Sequence, residues 1–130
     1  MTWSNPNSVS RIHVVLESRE KGKIVLELVR HISPITFSKI IKAMPISGRL
    51  HFLDHKLGYV ESGLTVGAEK QKSTFQRGDL GFMISNGFIC IVLQDTKGLS
   101  MNHIGHCIDD PLPLESMESG EIIFIKLASG

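Results

Sequence analysis

Apolar and polar positions alternate with a period of two over much of this chain, the spacing of strands that bury one face. Residues 12–16 are rich in β-branched side chains, and Ser18 to Gly22 supply turn chemistry. Residues 23–29 then resume with Ile24, Leu26 and Leu28 on one face and Val25 and Glu27 on the other. This predicts an opening hairpin. The period then changes to that of a helix. Phe37, Ile40, Ile41 and Met44 form one apolar stripe behind Ser33, placed as an N-cap, and Pro34, whose missing N–H costs nothing at the first helical position. Pro45 ends this short element, which is expected to plug the space between strands.

Beyond Gly48 the strand pattern returns, with strands expected at 49–53, 57–62, 71–75, 79–84, 87–93, 103–108 and 121–127. Asp54-His55-Lys56, Gln76-Arg77-Gly78 and Asp109-Asp110-Pro111 separate them with turn residues, and Asn86-Gly87 is a strong hairpin signal. Many short strands at this spacing favour a barrel or a sandwich. The run 87–93 is apolar on both faces, Phe88, Cys90 and Val92 against Ile89, Ile91 and Leu93. Such a strand is buried on both sides: one face is expected to fill a barrel, and the other to lie under the stripe of Phe37, Ile40 and Ile41.

A length of 130 residues suits one domain, expected over 11–130 behind a polar leader of residues 1–10 that contains the only tryptophan, Trp3. Fourteen basic and thirteen acidic residues are interspersed and leave a net charge of +1, which gives no basic stripe for nucleic acid. Two cysteines, Cys90 and Cys107, and an amino terminus without signal-peptide layout make the cytoplasm the expected address. No apolar run reaches the roughly 18 residues of a membrane-spanning helix, so no membrane partner is expected.

Gly22-Lys23-Ile24-Val25-Leu26-Glu27-Leu28 followed by Pro34-Ile35-Thr36-Phe37 resembles the beginning of a cyclophilin. Gly78-Asp79-Leu80-Gly81-Phe82-Met83 and Asn86-Gly87-Phe88-Ile89-Cys90 are similar to the cyclophilin segments leading into a Phe-Phe-Ile-Cys strand. A closer resemblance, carried by Met44-Pro45-Ile46-Ser47-Gly48-Arg49 and the late Ile104-Gly105 pair, is to the small prokaryotic cyclophilin-like domains of unassigned function. The resemblance implies a mainly β fold, a closed cyclophilin-like β-barrel of about eight strands with one or two short helices. Prolyl isomerases of the family carry a Phe-His-Arg segment that is absent here.

Proline isomerisation needs a dry groove and a donor that stabilises the twisted amide. Arg49 is the candidate catalytic donor, and Arg49, Tyr59, Phe82, Met83 and Phe88 are the candidate ligand-binding residues of a side groove. The plainer alternatives are a strand-edge arginine paired with a carboxylate or capping a turn for Arg49, and barrel core for Phe88. Three readings of function follow. One is a binding module for a small molecule or extended peptide; one is a weak or divergent peptidyl-prolyl isomerase; one is a homo-oligomer joined through 122–125 or Leu112-Pro113-Leu114. Six histidines raise the possibility of metal, but His103 and His106 are expected on opposite faces of a strand and His51 and His55 on either side of a turn, so no metal and no cofactor is expected. Cys107 beside His106, Ser100 and Ser116 lack the surroundings of a nucleophile.

Overall fold

Alternation in the first 20 described positions folds as expected into β1 (Arg11–Ser18) and β2 (Gly22–Val29), paired antiparallel from Arg11↔Val29 to Ser18↔Gly22. The computed structural model describes residues 10–128; of the expected leader only Ser10 falls within them, and Trp3 lies outside. After a 3-10 turn at Arg30–Ile32 come α1 (Pro34–Ala43), β3 (Ile46–Arg49), β4 (His51–Leu53), β5 (Leu57–Glu61) and β6 (Lys72–Phe75). Next are β7 (Asp79–Met83), β8 (Phe88–Val92), β9 (Thr96–Cys107), the single turn α2 (Leu112–Glu115) and β10 (Ile122–Leu127).

The ten strands form one antiparallel sheet in the order β3-β10-β1-β2-β9-β7-β8-β5-β4, with β6 paired to β9 off that path. Among the described residues no ladder joins β3 to β4 or β5, so the sheet is open and the expected closed barrel is corrected. The reason lies at Leu50. Its amide donates to Glu121 O and its carbonyl accepts from Gly120, both at about 2.7–2.8 Å, which holds this residue to the β10 side. One residue later the chain turns to pair with β5, so the expected strand 49–53 is two strands meeting at a corner. Across the gap β3 only packs on β5, close enough that a Cβ on Gly48 would stand 2.8 Å from Val60 Cγ1.

One face of the sheet holds the main core: Val14, Leu16, Ile24, Leu26, Leu80, Phe82, Ile89, Ile91, Ile104, Ile123 and Ile125. α1 adds Phe37 and Ile40 to this core, and the α2 segment adds Leu114 and Met117. A second cluster lies on the opposite face, where Leu57, Cys90 and Val92 pack with Phe75 of β6 and Met101 of β9. β8 is therefore buried on both sides, but its outer roof is β6 with β9, not the helix; the stripe of α1 belongs to the main core. β10 is paired on both sides and buries Ile123 and Ile125, so it is not an edge available for oligomerisation.

Ser33 occupies the N-cap position without capping. Its hydroxyl donates to His103 O (2.7 Å), and the first turn is capped from a distance by Glu69, whose carboxylate accepts from the amides of Ile35 (2.9 Å) and Thr36 (2.8 Å) and from Thr36 Oγ1 (2.6 Å). Partial burial pushes the Glu69 pKa up, but these three hydrogen bonds outweigh it and hold the carboxyl below its usual range. The stabilisation is complete above the ordinary glutamate value of 4.5 and is lost as the pH falls through the depressed one. Glu69→Gln is expected to lower stability at neutral pH, and its gap to wild type is expected to close in acid, as the pH falls well below 4.5. Denaturant titrations at neutral and acid pH check this; a gap that persists in acid contradicts it.

Candidate functional site

The structure separates the five expected site residues. Tyr59 of β5, Phe88 of β8 and Met83 of β7 are half-buried neighbours on the outer face. The rings of Tyr59 and Phe88 stack with centroids 4.2 Å apart, and His51 of β4 extends the row, 5.5 Å from Tyr59. This is an aromatic shelf three strands wide. Phe82 belongs elsewhere, because on β7 it alternates to the inner face and is fully buried in the main core. Arg49, on β3, donates through Nη1 to Gly120 O (3.0 Å) and lines a shallow recess with Arg19, Glu20, Glu121 and Ile122. Neither that bond nor that recess involves Tyr59, Met83 or Phe88. The turn-capping alternative describes Arg49 better than the catalytic one.

A deeper hollow of about 400 Å³ opens beside α2, lined by Phe52, His55, Leu93, Glu115, Met117 and Ser119. Leu93 and Met117 are buried, and Phe52 packs on the main core, so the floor is continuous with the protein interior. The rim is polar. His55 sits at the tip of the β4–β5 hairpin, where both Asp54 (φ 48°) and His55 (φ 61°) take the left-handed conformation that a two-residue type I′ turn demands. Lys56 closes that turn with an amide bond to Leu53 O (2.8 Å). Neither residue is glycine, so each carries a backbone cost of the order of 1 kcal/mol, which the paired strands sustain.

Arg77, in the turn between β6 and β7, fixes the far wall. Its Nη1 donates to Leu93 O (2.7 Å), its Nε and Nη2 grip both oxygens of Asp110 (3.0 and 2.7 Å), and Nη2 also meets Glu115 Oε1 at 2.5 Å. The backbone amide of Arg77 donates in turn to Asp95 (2.9 Å). One guanidinium thus ties the segment after β8 to α2 and sets where Glu115 stands. None of the hollow's lining was expected from sequence. The available signal in this segment was Met117, a lone apolar side chain among Glu115, Ser116 and Glu118.

The histidines fall differently from expectation. A register shift between Leu80 and Gly81 of β7 inserts an extra residue at Ile104–Gly105 of β9, so His103 pairs with Gly81, His106 pairs with Asp79, and both rings face outward on the same side. His106 Nε2 lies 3.1 Å from Glu27, which also binds His13 (3.0 Å) and Arg11 (2.9 Å). Burial pushes the Glu27 pKa up, but bonding from His13 and Arg11 and the nearby charges of His106 and Arg11 hold it below its usual range. Burial lowers the pKa of His103, and its ring donates from Nε2 to Gly105 O (2.9 Å). Among the described residues no group of three or more His, Cys, Asp or Glu is arranged to hold a metal ion.

His106 points outward while Cys107 packs against the inner core, so the two cannot act as a base and nucleophile. Burial pushes the thiols of Cys90 and Cys107 up to about 12, and for Cys107 the carboxylates Asp110, Asp79 and Asp109 push the same way against Arg77. Both thiols are expected to react with a disulfide reagent at neutral pH at least 100-fold more slowly in the folded protein than in denaturant. Stopped-flow or plate-reader labelling checks this, and fast labelling of the native protein contradicts it. No helix among the described residues is long and apolar enough to cross a membrane.

The fold and hollow define a mainly β protein, a ten-stranded antiparallel sheet with its main core on one face, a second cluster on the other and a cleft beside α2. No family model matches the chain, and no curated protein matches it. It is similar in structure to the hypothetical protein AF2241 from Archaeoglobus fulgidus, with a TM-score of 0.80 and 19% identity over 95% of this chain and 100% of that one. At that identity the likeness shows a shared fold.

Proposed function

We propose that this chain is a cyclophilin-like binding module whose ligand is a small molecule held in the cleft beside α2. The observation that carries the reading is a hollow of about 400 Å³ with a buried apolar floor and a polar rim, which matches the size and lining of small-molecule sites. Its walls are set in advance by the Arg77 bonds and the paired β4–β5 hairpin, so binding costs little ordering. A fragment screen followed by amide chemical shifts is expected to give hits that move Phe52, His55, Leu93 and Ser119 together. Ser119→Phe, an exposed position whose larger side chain fills the hollow, is expected to weaken those hits about tenfold or more. Hits that map elsewhere, or that ignore Ser119→Phe, overturn the reading.

The stacked Tyr59–Phe88 pair supports a second reading, an extended peptide laid across the outer shelf. Isomerase activity is a weaker extension of it, since Arg49 bonds to Gly120 away from those rings. In a proline-isomerisation assay, wild type and Arg49→Ala are expected to leave the uncatalysed rate unchanged. Acceleration by wild type that Arg49→Ala abolishes makes the protein an isomerase with Arg49 as its donor.

A further inference from the structure

The rim of the cleft carries one negative charge more than its own cation neutralises. Arg77 meets Asp110 through two of its nitrogens and Glu115 through one, so a single guanidinium faces two carboxylates. The tighter, two-pronged grip is on Asp110, whose pKa the Arg77 bonds hold below the usual range. Glu115 is bonded through Oε1 alone, its side chain is 38% exposed, and among the described residues Oε2 has no partner. Asp54 and Lys56, on either side of His55, offset each other, and Asp109 and Glu118 extend the negative character of the segment that carries Glu115.

The other rim groups have matching chemistry. Ser119 offers hydroxyl lone pairs, and a neutral His55 ring offers one acceptor nitrogen. With Glu115 Oε2 this makes three acceptors around one mouth, the number of N–H bonds an alkylammonium donates. The floor of Phe52, Leu93 and Met117 has no charge to satisfy and suits hydrocarbon. An anionic ligand would meet Glu115 with like charge, and an alcohol would satisfy fewer of the acceptors.

We infer that the ligand of this cleft is an apolar primary amine, its hydrocarbon body on Phe52, Leu93 and Met117 and its ammonium bonded to Glu115 Oε2, Ser119 and His55. The inference rests on the reading of the cleft as a ligand site. Three nearly isosteric probes separate the two: cyclohexylmethylamine, cyclohexylmethanol and cyclohexanecarboxylate, titrated into the full chain with amide shifts of Phe52, Leu93 and Ser119 as readout.

The amine is expected to bind about tenfold more tightly than the alcohol and to exceed the carboxylate by more, as one charge-assisted hydrogen bond implies. Glu115→Gln keeps the shape and the Arg77–Asp110 pair, and it is expected to bring the amine to within about threefold of the alcohol. An alcohol or carboxylate that binds as well as the amine, or a preference that survives Glu115→Gln, overturns the amine assignment and leaves the cleft reading standing. Absence of shifts at those residues with all three probes at millimolar concentration overturns both.

Discussion

Gly105→Ala is expected to destabilise the protein by about 3 kcal/mol or more, at the upper end for a single added methyl group. A Cβ at this position would stand 1.9 Å from Glu27 O and 3.0 Å from the Leu28 Cα, both backbone atoms of the neighbouring strand. Backbone cannot rotate aside as a side chain does. The seam between β2 and β9 rests on only three register pairs, Leu26↔Cys107, Glu27↔His106 and Leu28↔Gly105, so moving the strands apart removes a large share of it. Gly81→Ala supplies the control. There the new methyl meets the Met101 side chain, with Cε at 2.8 Å and Sδ at 2.9 Å, and a flexible thioether yields. Urea denaturation is expected to show a loss of roughly 1 kcal/mol for Gly81→Ala. Equal losses at the two positions contradict the account.

Asn102→Ala is expected to cost about 3 kcal/mol, because this fully buried amide uses both ends. Its Oδ1 accepts from the Glu69 amide (2.8 Å), and its Nδ2 donates to Thr36 Oγ1 (3.1 Å) and Gly67 O (3.0 Å). Thr36, also fully buried, passes its own hydroxyl hydrogen to Glu69. Removing the amide strands the Glu69 N–H, the Gly67 carbonyl and one lone pair of Thr36, and it releases the segment after β5 that carries the cap of α1. Hydrogen exchange is expected to accelerate first at Glu69 and along the first turn of α1, with the β8 amides following only as global stability falls. Uniform acceleration, with Glu69 no different from β8, would show that the network does not hold that segment locally. Asn102→Leu, similar in volume, is expected to rescue little, since the loss is of partners and not of packing.

Most strands were legible because each buries one face and alternates, as β2 does with Ile24, Leu26 and Leu28, or buries both and stays apolar, as β8 does. What escaped was set by contacts distant in sequence. β9 begins at Thr96, well before the expected 103, because Lys97 and Gly98 read as turn residues while the chain is in fact held extended by Thr74 and Phe75 of β6. Helix α2 hides in Leu112-Pro113-Leu114, where Pro111 at the N-cap and Pro113 in the first turn read as breakers while Leu114 anchors the turn in the core. The bulge that turns His103 and His106 to one face depends on pairing with β7, which periodicity along β9 alone cannot show.

The candidate site was legible in fragments for a related reason. Tyr59, Met83 and Phe88 meet because β5, β8 and β7 are neighbours, and outward positions on adjacent strands converge whatever their sequence separation. Phe82 failed by one position of alternation. Arg49 failed because the corner at Leu50 keeps β3 beside β10. The cleft draws on a hairpin tip, a strand end and the segment after α2, three turns with no shared pattern to read.

The place of β10 in the sheet governs when this protein can become itself during synthesis. β10 follows the other nine described strands in sequence, yet among the described residues it is the only ladder partner of β3 and the second partner of β1, both made well before it. Until Ile122–Leu127 emerges, both early strands present unpaired edges, the kind of surface that recruits other chains. The sheet therefore covers its early edges only once Ile122–Leu127 has been made, and those edges are most exposed just before that strand is available.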